Sequence, residues 1–284
     1  MNWNITPNKQ PWYGFTEDQI FGEIMSDPEI CKYILRIIAP EAKIKHIYPP
    51  NKQREVKDPG HRKQKDVRLD VLVEDEKHNL YDLEVQTSDK GDLGWRMRYY
   101  ASKIDQRYTL PVGKTYRDLR KVTIIFICTF DPQKKGKVRY EYESFEKVDK
   151  SDQLNDGIKK IIINTKGKQD GIGPELAALV NLANNKQVHL NRIFDKIQKK
   201  IVDINNDPKR RDEIMDYETK LLEREQDGKE EGIRQGIQKL IAALRDFGAT
   251  NAQILKRLEQ DYGDQFTKKR TKRFHETSII CTNE

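Results

Sequence analysis

Three features of the 284-residue sequence predict an α/β fold followed by an all-helical C-terminal extension. Residues 68–74 and 80–86 alternate apolar and polar side chains on either side of the polar turn Asp75-Glu-Lys-His-Asn79, the pattern of a hairpin with one face buried. Two further runs, 122–130 and 158–164, are rich in β-branched and aromatic residues and are interleaved with helical periodicities. Strand signals then cease near Asn185, and the rest of the chain is helical and charged.

The elements follow in order. Residues 1–14, with Pro7, Pro11 and Gly14, read as a loose lead-in. Ile20, Phe21, Ile24, Ile30, Ile34, Leu35 and Ile38 recur at helical spacing, and Asp27-Pro28 divides that stretch into two helices. Residues 43–48 read as a short strand, and the basic, proline-containing stretch 49–65 as a loop or frayed hairpin. After the main hairpin, 95–108 reads as a helix, and 139–145 as a small hairpin arm between the two β-rich runs. Pro174 opens a helix over 174–184. Ile193, Ile197, Ile201 and Ile204 mark another over 188–204, and Asp207-Pro208 starts a segment running toward residue 225. Gly228, Gly232 and Gly236 share one helix face, a spacing that permits close approach of another backbone or marks a weak linker. Residues 238–247 are amphipathic, Gly248 closes them, and Thr250 caps a helix over 252–262. Lys268-Lys-Arg-Thr-Lys-Arg273 forms a basic tail. The sequence therefore divides into an α/β domain over 1–185, a helical region over 186–267 suited to oligomerisation, and a disordered tail over 268–284.

The hairpin carries the chemistry. Leu69, Val71, Val73, Tyr81, Leu83 and Val85 share one face, and Asp70, Asp82, Glu84 and Gln86 share the other. With the hairpin centred near Lys77, Asp70 lies opposite Glu84, and like charges directly opposite are unfavourable. Carboxylates converging on one point suit a hard divalent cation such as Mg²⁺ or Mn²⁺. Leu72 and Leu80 lie on the carboxylate face, so that face is expected to be partly covered, which raises the cost of an unpaired acid pair. Asp82 is a weaker candidate ligand than Asp70 and Glu84.

An Asp on one strand followed by Glu-x-Gln on the next resembles the PD-(D/E)XK nuclease superfamily, in particular its transposase-like, recombination-promoting branch. Arg96-Met-Arg-Tyr-Tyr100, the run from Val122 to Pro132 and Lys160-Ile-Ile-Ile-Asn-Thr-Lys-Gly167 extend the likeness over residues 15–185. The resemblance implies a restriction-endonuclease-like mixed sheet flanked by helices, with metal-dependent hydrolysis of DNA. Asp70, Glu84 and Gln86 would be catalytic, and Gln86 stands where the superfamily has Lys. Asp70, Glu84 and the backbone carbonyl of Val85 would hold Mg²⁺ or Mn²⁺, with Glu23 as a further candidate. Arg96, Arg98 and Lys103, on the next helix, are candidates to restore positive charge and contact DNA, as is the basic loop 51–65.

Composition fits these expectations. The net charge of +7 favours polyanionic partners. Cys31, Cys128 and Cys281 form no CxxC pair, no apolar run is long enough to span a bilayer, and no signal-peptide core opens the chain. The expected setting is the cytoplasm, with no membrane association, and the expected assembly is a homo-oligomer formed through the C-terminal helices. Two other functions fit the same residues. One is a catalytically weak or inactive DNA-binding relic of a mobile element, and the other is a helical oligomerisation protein.

Overall fold

The computed structural model describes residues 12–48, 69–108 and 113–262. The lead-in before residue 12, the basic loop 51–65 and the basic tail lie outside them. The chain divides into two compact units, residues 1–211 and 212–284.

The first unit is built on a six-stranded mixed sheet in the order β1-β2-β3-β4-β6-β5, where β1 is Ile44–Tyr48, β2 Val71–Asp75, β3 Leu80–Gln86, β4 Val122–Cys128, β5 Arg139–Tyr142 and β6 Ile158–Asn164. β2 and β3 form the expected antiparallel hairpin, pairing Val71 with Leu83 and Leu72 with Asp82. β3, β4 and β6 run parallel, with Glu84 beside Phe126 and Phe126 beside Ile162. The segment expected as a separate hairpin arm instead adds β5 antiparallel to the edge of the main sheet, against β6.

Both faces of the sheet are covered, so its central strands are apolar on both sides. On one face Val71, Val73, Tyr81, Leu83, Ile125, Ile127, Ile161 and Ile163 are buried. On the other, α3 (Leu93–Arg107) packs Met97, Ala101 and Ile104 into one cluster with Leu72, Leu80, Ile124, Phe126 and Ile162. Leu72 and Leu80 thus do what their place on the acid face predicted.

The remaining helices of this unit are α1 (Asp18–Met25), α2 (Pro28–Ile38), α4 (Pro174–Ala183) and α5 (Arg192–Asn206), and α2 contacts α1, α4 and α5. The Asp27-Pro28 break works as read. Pro28 takes the first helical position of α2, and the Asp27 side chain accepts from the amides of Glu29 and Ile30 at 3.1 and 3.4 Å. Asn191 caps α5 in the same way, and Phe194, Ile197 and Ile201 are fully buried. Strand signals end near residue 185, while the compact units divide after Arg211, because α5 packs with α1 and α2.

In the second unit, the segment opened by Asp207-Pro208, the glycine stretch and residues 238–247 form one helix, α6 (Pro208–Asp246), of 39 residues, whose first residues belong to the first unit. Each glycine costs about 1 kcal/mol relative to Ala, but none supplies a break. The pairs Glu225–Lys229 and Glu231–Arg234 brace the glycine stretch at 2.9 and 3.0 Å. Gly248, at φ +75°, ends the helix in a left-handed conformation that a glycine adopts without strain. Thr250 and Gln253 cap α7 (Asn251–Tyr262) reciprocally, and Ile237, Ile241, Ile254 and Leu258 form a small core between α6 and α7.

Candidate functional site

The acid face of the hairpin forms the site. Asp70 directly precedes β2, and the ladder register carried on by one residue sets it opposite Glu84. The two residues are locked together. The Asp70 amide donates to Glu84 Oε1 at 2.8 Å, and the Val85 amide donates to Asp70 Oδ2 at 3.2 Å. Glu84 is 2% exposed and Asp82, two residues earlier on β3, is 0% exposed, both beneath α3. Neither carboxylate oxygen of Asp82 meets a hydrogen-bond donor among the described residues.

The electrostatics follow from that burial. Loss of solvent, then the Asp70 charge, raises the Asp82 carboxyl well above the usual carboxylate range. Burial raises Glu84 likewise, with the charges of Asp70 and Asp82 adding to it. While both are ionised Asp82 has no donor among the described residues; a hydrogen bond from Glu84, which would lower Asp82, forms only when one of the two keeps a proton. Arg96 opposes these shifts at both carboxyls.

Arg96 is drawn in from the first turns of α3. It donates through Nη1 to Gln86 Oε1 and through Nη2 to the Tyr100 hydroxyl at 2.9 Å. Its guanidinium lies over the rings of Phe126 and Tyr100, at 5.3 and 5.5 Å from their centres. Gln86 is held from its other end too, where Nε2 donates to the Ser88 carbonyl at 2.7 Å. Burial and then the Glu84 charge raise the Tyr100 hydroxyl.

The three cations proposed from the sequence therefore go to different places. Arg96 joins Gln86 and the acids. Lys103 is 2% exposed, with its ammonium 5.5 Å from the centre of the Tyr99 ring. Arg98 is exposed and stacks at 4.7 Å on Trp95, itself 66% exposed. Glu23, on α1, forms an ion pair with Arg210 and shares no hydrogen bond or ion pair with Asp70 or Glu84.

Sequence reasoning ranked Asp82 below its neighbours, and it read Tyr100 as a packing or stacking aromatic without joining it to the acids. The available signals were the even spacing of Asp82, Glu84 and Gln86 on one strand face and the four-residue spacing of Arg96 and Tyr100 on one helix face. As the side chains stand, no three His, Cys, Asp or Glu residues among the described ones are preset around a metal position. The donor set, carboxylate oxygens beside a strand carbonyl, is nevertheless the kind that a hard divalent cation takes.

Among the described residues no helix is long and apolar enough to cross a membrane. Residues 13–230 match the family described as PD-(D/E)XK nuclease family transposase. No curated protein and no solved structure matches the chain.

Proposed function

Because the chain belongs to the PD-(D/E)XK nuclease family transposases, we propose that it is a metal-dependent DNA endonuclease that hydrolyses phosphodiester bonds. The observation that carries this reading is the pair of Asp70, half-buried just before β2, and Glu84, buried on β3, held together by hydrogen bonds from the Asp70 and Val85 amides, with Arg96 and Gln86 beside it. Asp70, Glu84 and the carbonyl of Val85 would hold Mg²⁺ or Mn²⁺. In an antiparallel ladder a residue's N–H and C=O leave the same edge of the strand, and the Val85 N–H already points to Asp70. Once bound, the ion supplies a polarised water and stabilises charge on the phosphate.

The protein's own groups do the rest. Gln86 carries no charge and positions a water or phosphate oxygen, its amide fixed by Ser88 and Arg96. Arg96 supplies the positive charge that Lys provides elsewhere in the superfamily. Arg98, at the surface beside Trp95, meets the DNA backbone as a positioning contact. Lys103 supports α3 from within, against Tyr99.

The test is nicking of supercoiled plasmid with Mg²⁺ or Mn²⁺. Asp70→Ala and Glu84→Ala are each expected to slow it by about a hundredfold or more. Cleavage that survives both substitutions means the site is misplaced. DNA and metal binding without cleavage by folded wild type moves the reading to an inactive relic, which the full engagement of the Gln86 amide favours.

Self-association belongs to the second unit. Among the described residues a Cβ placed on Gly228 or Gly232 meets nothing within 4 Å, so α6 is open at these two glycines, whereas one on Gly236 meets the Tyr262 hydroxyl at 3.4 Å. Gly232, Ile233 and Gly236, with Lys229 and Tyr262, line a groove beside it. A Cβ at Gly232 meets none of the described residues, so Gly232→Ala is expected to keep helicity and to shift sedimentation from dimer to monomer. A wild type that sediments as a monomer ends this part of the reading.

A further inference from the structure

Trp95 has no part in the chemistry described above, yet it stands next to it. It lies in the first turn of α3, one residue before Arg96, whose guanidinium reaches Gln86. Residues 87–92 alone connect β3 to α3, so that turn stays at the end of β3 that carries Glu84 and Gln86. α3 turns Leu93, Met97, Ala101 and Ile104 toward the sheet and leaves Trp95, Arg98 and Ser102 outside. A tryptophan used for packing would have its ring covered, whereas this one is 66% exposed.

The ring is also held in place. Arg98 lies over it, 4.7 Å from its centre, which fixes the indole and sets a cation beside it. A flat aromatic with a guanidinium alongside is what a nucleobase stacks on, the cation serving the adjoining phosphate. Asp89 and Asp92, in the connection leading into α3, disfavour a second phosphate there and are indifferent to a neutral base. Within a duplex each base is already stacked and paired, so a side chain can stack only on a base that is unpaired. We propose that Trp95, braced by Arg98, stacks on an unpaired base of the strand held at the Asp70–Glu84 site, so that the protein takes single-stranded or locally unpaired DNA in preference to continuous duplex. This rests on the nuclease reading above and adds to it the class of substrate.

The experiment is binding of two DNA probes to the full-length protein in Ca²⁺, read by fluorescence anisotropy. One probe is a single-stranded oligonucleotide and the other is the blunt duplex of the same sequence. Wild type is expected to bind the single strand more tightly. Trp95→Ala should weaken single-strand binding by about tenfold, with duplex binding changed by less than about twofold and the salt dependence of both unchanged. Trp95→Phe, which keeps a ring, should restore most of the loss, and the share of indole emission that it removes should be the share that the single strand quenches. An equal loss on both probes makes the ring a general DNA contact, and no loss on either makes it a bystander. Loss of self-association in place of strand binding makes it a protein contact. Each of these overturns the inference and leaves the nuclease reading standing. No binding of either probe by wild type overturns the nuclease reading, and the inference with it.

Discussion

Two groups of acids in the first unit are built from the same side chain and have opposite surroundings. At the start of α2, Asp27 and Glu29 face Lys196, and Arg192 adds a second cation at Glu29. Burial pushes the Asp27 carboxyl up, but Lys196 and the amides of Ile30 and Glu29 outweigh it and hold it below the usual range. Lys196 and then Arg192 hold Glu29 low as well. On the hairpin, Asp82 and Glu84 lie deeper, face another acid, and are pushed up. Acids that serve the fold come with their cations. Acids left under cover without enough of them mark a candidate functional site.

The largest expected effect separates the two groups by metal. Glu84→Gln should abolish the stabilisation that Mn²⁺ gives in a thermal melt, and Asp27→Asn should leave it unchanged. Equal responses would erase the distinction. Within α3, Arg96→Ala is expected to slow plasmid nicking by about a hundredfold. Arg98→Ala should change it by no more than about fivefold, since its charge is solvated. The reverse ranking would move the catalytic cation to the surface.

The smallest effects concern the metal-free protein. Asp27→Ala should cost about 1 kcal/mol through loss of the α2 cap, whereas Glu84→Gln should cost nothing or stabilise. The pH dependences run in opposite directions. Asp82 and Glu84 bind protons more tightly folded than unfolded, so their contribution is complete below the ordinary carboxylate range and is lost as pH rises through the raised folded values. Asp27 and Glu29 contribute above that range and lose their contribution as pH falls through the lowered values. In chelator, the melting temperature of wild type should therefore fall as pH rises above the ordinary carboxylate range, and Glu84→Gln should flatten that fall.

Much of this was legible in the sequence because it is local. The period-two alternation and the polar turn set the face and register of the hairpin, so Asp70 opposite Glu84 and the covering role of Leu72 and Leu80 could be read directly. What required the structure depends on distant partners. The isolation of Asp82 is set by Ile124 on β4 and by the rotation of α3, and that same rotation decides that Arg96 turns inward while Arg98 stays in solvent. β5 found its partner across a long connection, which gives no signal in its own four residues. α6 runs unbroken because glycine weakens a helix without supplying the turn that ends it.

The reciprocal bonds between Asp70 and β3 also bear on how the chain folds. They close between residues 14 and 15 apart, whereas the parallel ladders wait for residue 80 to meet residue 122, and residue 122 to meet residue 158. Short loops close first. The repulsion between Asp70 and Glu84 therefore falls on the earliest contacts to form, before α3 or Arg96 is in place. Neutralising Glu84 should speed refolding more than it slows unfolding, so that the demands of the finished site act as a brake on the nucleus of the fold.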